Sequence, residues 1–332
     1  MIRSDKDEGA MKILLFGKTG QVGRALQLTL APLGQVIAPA RPQSAAGSTP
    51  VLTHAAYPQG VAPVDFQDPA QLLEYTLVLA PDVIVNAAAY TAVDDAETRE
   101  PMVMQINADA PAVLARAAAQ CGALLIHYST DYVFDGSGTR PWLETDMARP
   151  VNVYGRSKLA AEQAIMHSGC RHLIFRTSWV YSRQGQGFLQ QMMKLAMTRE
   201  CLRIVNDQIG APTSACLVAD TTAAVLGKYR SQAAAIDDGL YHLAATGETS
   251  WFDYACHIFA RMRSNGVKLA IDQVVPVSTL EYGSPARRPL NSRLATGKLS
   301  DAFGLSLPCW QQGVDTTVDA LCQDLKDRDF LL

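Results

Sequence analysis

An α/β fold with one regular half and one irregular half is predicted by three observations. From Met11 to about Trp179, short apolar runs alternate with helical patterns, as they do in βαβ units around a parallel sheet covered on both faces. A glycine-rich turn, Gly17-Lys-Thr-Gly20-Gln-Val-Gly23, joins the first strand to the first helix. Beyond Trp179 the alternation loosens into helices separated by polar loops. Together these predict a Rossmann-type doubly wound parallel sheet with a smaller α+β C-terminal substrate domain. The expected organisation is a disordered leader at 1–10, a dinucleotide-binding domain at 11–180 that also receives part of 215–245, and a mainly substrate-binding domain at 181–332.

Lys12–Phe16 reads as the first strand, Gln21–Leu30 as the first helix and Gln35–Ala38 as the second strand. Pro39–Gly60, rich in Pro, Gly, Ser and Ala, is expected to be a long loop. A short strand over Val61–Asp65, a helix over Pro69–Leu79 and a strand over Asp82–Asn86 follow, the last closed by Ala87-Ala88-Ala89. Glu97–Cys121 is an Ala-rich helical region with an expected break near Pro111. Ala123–Tyr128 is a buried strand leading into Ser129-Thr130-Asp131. Pro150–His167 holds a helix starting near Asn152, and Arg171–Thr177 is a strand. Phe188–Thr198, Leu217–Lys228 and Trp251–Arg263 read as helices.

The chain has 332 residues, 48% of them hydrophobic and 18% charged, with a formal net charge of −3. No global basic field is present, so nucleic acid and anionic membrane are not expected partners, and an anionic ligand must be held by local groups. No apolar run approaches the ~18 residues of a membrane span, and Met1–Ala10 lacks an apolar signal core. Seven cysteines, scattered and without a C-x-x-C pair, point to reduced thiols in the cytoplasm and to no metal site.

The chemistry begins at the glycine-rich turn. Its glycines permit a tight turn and a close approach of backbone to a diphosphate. The helix that follows offers free N–H groups and a positive dipole end. Gly17, Thr19, Gly20, Gln21, Val22 and Gly23 are therefore candidate cofactor contacts. The end of the second strand commonly reads the ribose 2′ position, with an acid for NAD or an arginine for NADP. Here Ala38-Pro39-Ala40-Arg41 has no acid, and Arg41 either pairs with a 2′-phosphate or is a solvated loop residue. NADPH is favoured on that ground, with NADH possible. Asp65 and Phe66 stand where an adenine would lie, or are a strand-end turn. Ala87, Ala88 and Ala89 allow close passage of a cofactor, or tight packing.

Tyr154-Gly-Arg-Ser-Lys158 puts a phenol and an ammonium on one helix face, about 5–6 Å apart. A free tyrosine is a poor acid at neutral pH. A nearby cation stabilises its phenolate and brings it toward the working range. Thr130, at the carboxyl end of its strand, can donate to a substrate carbonyl, or cap a turn. Tyr154, Lys158 and Thr130 form the candidate catalytic set. Trp179 suits stacking on a sugar or base, or core packing. Arg288, beside Arg287, is either a diphosphate grip or one of a solvated pair.

Four segments carry a family resemblance: Gly17–Gly23, Asn86–Asp94, His127–Phe134 and Asn152–Lys158. They resemble the extended short-chain dehydrogenases/reductases. Phe175–Tyr181, Asn206–Thr213 and Arg288–Leu294 narrow the resemblance to the dTDP-4-dehydrorhamnose reductase family, and it runs from about Met11 to beyond Trp310. The resemblance implies that Tyr154 protonates the C4 oxygen of a dTDP-linked ketosugar as hydride arrives from a nicotinamide. It implies that Lys158 holds the nicotinamide ribose and lowers the Tyr154 pKa, that Thr130 supports the alkoxide and that Asp131 fixes the sugar. Tyr90 and Tyr128 are implied cofactor contacts. Asp207, Gln208, Arg288, Asn291 and Ser292 are implied contacts to the dTDP-sugar.

Some relatives dimerise around magnesium through an acid on the first helix. Gln21–Leu30 has none, so that metal site is not expected here, and the chain is read as a monomer or homodimer. Two rival readings remain: a nucleotide-sugar dehydratase or epimerase, and a non-catalytic NADP-binding subunit. The first lacks an Asp-Glu pair beside Asp131-Tyr132. The second would not need Tyr154 and Lys158.

Overall fold

A computed structural model describes residues 10–42, 62–232 and 237–329. The expected leader, all but its last residue, and the greater part of the Pro39–Gly60 loop lie outside the described residues. Six parallel strands form one sheet. β1 (Met11–Phe16), β2 (Gly34–Ile37), β3 (Val83–Asn86), β4 (Leu124–Thr130), β5 (Arg171–Thr177) and the Gly239–His242 strand are ordered Gly239–His242, β5, β4, β3, β1, β2. The chain leaves β1 outward to β2 and returns to β3 on the other side. That reversal opens a crevice at the carboxyl ends of β1 and β3, where open α/β sheets bind ligands.

Every residue of β3 and β4 is buried, because helices cover both faces of the sheet. On one face Leu26, Leu30, Val218 and Leu226 pack against Ile13, Val85 and Ile126, bringing the Gln21–Leu30 and Ala215–Gln232 helices together. On the other, Leu72, Leu114 and Ile165 cover Leu14, Ile84 and Leu125 from the Pro69–Leu79, Ala110–Cys121 and Val153–His167 helices. A third cluster gathers Leu189, Tyr254, Ile258, Trp310 and Val314 between the Phe188–Thr198, Trp251–Ser264 and Trp310–Asp329 helices. Beside it, Cys201–Val205 pairs in parallel with Gln273–Val277. Among the described residues no helix is long and apolar enough to cross a membrane.

Most expected elements form within a residue or two of their expected bounds, and two differ. Residues 62–65 form no regular strand, although Val64 donates its N–H to Ala40 O at 2.9 Å and Ala62 and Val64 are buried. Pro63 between them has no N–H to continue a ladder. The expected break near Pro111 falls instead at Gln105–Asp109, a single π-helical turn. Pro111 itself sits in the first turn of Ala110–Cys121, where its missing N–H costs little. The widened turn sits directly N-terminal to it and displaces Asn107 into the protein interior.

Candidate active site

The crevice at the strand reversal is a cleft of about 250 Å³. Gly17 stands at φ +84°, and a Cβ there would lie 2.5 Å from the backbone of Ala87 and Ala88. The β1 and β3 turns therefore touch backbone to backbone, leaving a floor without side chains. Gly23 is equally constrained, since its Cβ would come within 2.0 Å of Gly17 O. The Gln21–Leu30 helix begins at Gly20 with no side-chain cap and no acid in its first turn, so its free N–H groups are offered to an anion. Gly17, Thr19, Gly20, Arg41, Phe66 and Ala87–Ala89 line the cleft. Phe66 meets Phe16 edge-on at 5.3 Å. Glycine backbone, a bare helix start and, among the described residues, a lining without a carboxylate fit a dinucleotide phosphate group.

Lys18 shares this cleft, its Nζ 2.8 Å from Ala38 O. It was visible in the glycine-rich turn, but its cationic head could not be placed without the fold. Gln21 and Val22 do not line the cleft: Val22 packs into the core, and Gln21 lies by Gly185 and Gly187. Asp65 is a turn residue, its Oδ1 accepting from Gln67 N–H at 2.9 Å. The hydroxyl of Tyr128, an expected cofactor contact, has a partner within the protein. Side chains alternate along β4, so its ring faces the Ala215–Gln232 helix and its hydroxyl meets Thr222 Oγ1 at 2.8 Å.

Asn152 positions the Tyr154/Lys158 helix by accepting from Gly155 N–H at 2.7 Å. The helix lies against the end of β4 because Gly155 has no Cβ, which would fall 2.1 Å from Tyr132 O. Tyr154 packs edge-on against Tyr132 at 5.8 Å and has the Thr130 hydroxyl as a partner. Thr130 Oγ1 lies 3.0 Å from Asp131 Oδ1, and Ser292 also hydrogen-bonds Asp131. Burial pushes the Asp131 carboxyl up to about 6 against those two hydrogen bonds. Lys158 is buried, and that desolvation lowers it to about 8 while Glu162 favours its charge. Tyr154 is raised above its ordinary value, first by burial and then by the Asp131 charge, with Thr130 opposing. The expected lowering by Lys158 does not prevail in this arrangement, in which the Lys158 amine is 3.1 Å from His127 Nε2.

A second cleft, of about 790 Å³, opens beyond this set. Arg288 and Gln208 line it with Lys194, Arg203, Trp251 and Asp94. Arg288 is paired with Asp94 at 2.8 Å. Gln208 bridges Thr279 Oγ1 and Trp251 Nε1 at 3.0 and 3.1 Å. Trp179, at φ +47°, stacks on Trp251 with centroids 3.7 Å apart. It therefore supports the ring that lines the cleft. Asp207 and Asn291 have other employment. Asp207 accepts from Thr279 N–H and Oγ1, and Asn291 donates to Arg140 O while its Oδ1 accepts from Arg293.

Sequence reasoning missed Asn107, Lys194, Arg203 and Trp251. Asn107 ties the site together: its Oδ1 accepts from Tyr90 N–H at 2.7 Å, and its amide donates to Tyr90 O and Ser157 Oγ. Tyr90 in turn hydrogen-bonds Asp95 through its hydroxyl. A π turn leaves no mark in apolar spacing, and lysines and arginines at helix and strand positions look like ordinary solvated charges.

A glycine-floored crevice at the strand reversal, together with a Tyr-x-x-x-Lys helix beside the end of β4, is the arrangement of a short-chain dehydrogenase/reductase, and the large second cleft fits the extended kind. The description "RmlD substrate binding domain" matches residues 11–323. The chain is 47% identical to dTDP-4-dehydrorhamnose reductase of Escherichia coli (strain K12) over 94% of its own length and 98% of that protein's. The crystal structure of dTDP-4-dehydrorhamnose reductase from Bacillus anthracis str. Ames in complex with NADP superposes with a TM-score of 0.77 at 30% identity, covering 93% of this chain and 98% of that one. The Clostridium acetobutylicum orthologue gives 0.77 at 32%, covering 94% and 99%. The chain belongs to the dTDP-4-dehydrorhamnose reductase family.

Proposed function

We propose that this chain reduces the C4 ketone of dTDP-4-dehydro-β-L-rhamnose to give dTDP-β-L-rhamnose, with NADPH preferred over NADH. The observation that carries the reading is that Tyr154, hydrogen-bonded to Thr130, stands one turn from Lys158 on the helix packed beside the end of β4. NADPH, bound along the glycine floor, supplies the hydride. Tyr154 holds the proton that passes to the C4 oxygen, and Thr130, whose one hydroxyl proton points to Asp131 in the free protein, turns it to the same oxygen as its charge grows. Asp131, held by Ser292, orients the sugar hydroxyls. Arg288, Lys194 and Arg203 supply the positive charge that a nucleoside diphosphate requires and the whole chain, at −3, does not. Trp251, backed by Trp179, offers a ring face to the base or sugar.

Arg41 and Lys18 favour the extra phosphate of NADPH. We place the enzyme in the cytoplasm, as a monomer or homodimer, where sizing chromatography with light scattering decides the state. The test is NADPH oxidation with dTDP-4-dehydro-L-rhamnose beside the UDP- and GDP-linked ketosugars. Turnover with the dTDP sugar is expected. No turnover with any of them would overturn the reading in favour of a non-catalytic subunit.

A further inference from the structure

Two buried polar residues, Asn86 and His127, have no part in the chemistry above, yet they connect its two halves. They are directly opposite in the β3–β4 register. Asn86 is the last residue before the Ala87–Ala89 turn that floors the dinucleotide cleft. His127 reaches from β4 to Lys158.

The proton positions along this chain follow from one fixed donor. The backbone N–H of Ala88 donates to Asn86 Oδ1 at 3.1 Å. A peptide N–H can only donate, so the Asn86 amide is oriented with its oxygen toward Ala88 and its NH2 toward the histidine. Asn86 Nδ2 lies 3.1 Å from His127 Nδ1, which must therefore accept and carry no proton. Burial first, and the charge of Lys158 where that amine is protonated, hold the His127 ring neutral, well below its usual range. A neutral imidazole that accepts at Nδ1 carries its proton on Nε2. That N–H points at Lys158 Nζ, 3.1 Å away. An ammonium has three donors and no lone pair, so a charged Lys158 would set donor against donor, whereas an uncharged amine accepts. Moving the histidine proton to Nδ1 transfers the conflict to the Asn86 NH2. Turning the Asn86 amide strands the Ala88 N–H.

The other charges around Lys158 do not remove this conflict. Glu162, on the same helix, favours the charged amine but is itself held by Arg176 of β5 at 2.6 Å. Asp131, at the end of β4, acts on Tyr154.

We propose that Asn86 and His127 are positioning residues that disfavour the ammonium form of Lys158, and that dinucleotide binding against the Ala87–Ala89 turn relieves this, so that Lys158 takes up a proton from solvent. The relay rests on the cofactor reading of that cleft. It makes the cation that assists Tyr154 fully available once the cofactor is in place.

The test is calorimetric titration of the full-length protein with NADP+ and, separately, NAD+ near pH 8, in buffers of different ionisation enthalpy. The difference between buffers counts protons taken up per nucleotide bound. NAD+ has no 2′-phosphate whose own titration would add to the count. With Lys158 starting near 8, uptake of about half a proton is expected with either nucleotide. In Asn86→Asp the new carboxylate accepts both from Ala88 N–H and from His127 Nδ1–H. Nε2 is then free to accept from a charged Lys158, and uptake should fall close to zero. His127→Phe, which removes the facing donor, should lower it likewise. Binding without uptake in the unmodified protein, or full uptake in Asn86→Asp, overturns the relay. The unmodified protein decides the matter even where a variant does not fold. Binding of neither nucleotide overturns the cofactor reading and the relay with it.

Discussion

The two clefts are made of different parts of the polypeptide. The smaller one is built from turns at the ends of β1, β2 and β3, and its working surface is largely backbone: Gly17 against Ala87 and Ala88, and the bare N–H groups at the start of the Gln21–Leu30 helix. The larger one is built from side chains that converge from positions 94, 194, 203, 208, 251 and 288. A backbone surface tolerates almost no substitution at a few positions, because a Cβ collides at any of them. A side-chain surface is held by charge and stacking, and each member can be removed without disturbing the chain path. The two should therefore fail in different ways, and the Thr130–Tyr154–Lys158 set should fail in a third.

The largest effect belongs to that set. Tyr154→Phe leaves the ring and its edge-on contact with Tyr132 in place and removes only the acidic proton. We expect turnover to fall by about 10²–10⁴, the range for losing a positioned general acid, with NADPH affinity unchanged by fluorescence titration. Near-normal turnover would move the proton donor elsewhere. Next is Arg288→Ala in the larger cleft. It removes a guanidinium and leaves Asp94, its partner at 2.8 Å, as an uncompensated negative charge. KM for the dTDP sugar should rise roughly 10- to 100-fold, as for a lost charge-assisted hydrogen bond, while kcat changes little. A drop in kcat with KM unchanged would place Arg288 among the transition-state contacts instead.

The same contrast explains what was legible beforehand. The glycine spacing, the Ala87–Ala89 turn and the Tyr154/Lys158 pair are local, and each encodes one geometric requirement at a fixed offset, so they stood out. Strand and helix periods located the Gln21–Leu30, Pro69–Leu79, Arg171–Thr177 and Phe188–Thr198 elements at their observed bounds. The Tyr128–Thr222 hydrogen bond was not legible because position in a motif does not say which face of a strand a side chain takes. The loop-holding hydrogen bonds of Asp207 and Asn291 were not legible because a polar residue in a shaped loop reads alike whether it faces a substrate or holds the loop. Asn107 and Trp251 went unseen because their roles depend on a π turn and on a tryptophan stack between segments about seventy residues apart.

Within the smaller cleft the glycines can be set against each other. Gly17→Ala places a Cβ 2.5 Å from the Ala87–Ala88 backbone at a φ of +84°. We expect a destabilisation of about 1–3 kcal/mol from the strained backbone and at least a tenfold (~10) loss of NADPH affinity. Gly20→Ala meets only Gly17 O, at 3.3 Å, and needs no positive φ. It should melt close to the unmodified protein. Equal behaviour of the two in thermal melts would mean that backbone contact is not what shapes this cleft.

The smallest effect tests a charged side chain of the backbone cleft. Arg41 lines it beside Ala40, where an acid would have favoured the ribose 2′-hydroxyl of NADH. A guanidinium there gains from a 2′-phosphate and nothing from a hydroxyl, so Arg41→Ala should weaken NADPH by about tenfold, the worth of one charge-assisted hydrogen bond, and leave NADH where it was. Lys18 keeps the loss from being larger. Its Nζ already reaches the Ala38 carbonyl at the end of the same strand, so one cation remains when the other is removed. Lys18→Ala on top of Arg41→Ala should then bring the two cofactors to equal affinity. If the double variant still prefers NADPH, the extra phosphate is recognised by backbone, and the distinction between the two clefts is sharper than the single charged residues suggest.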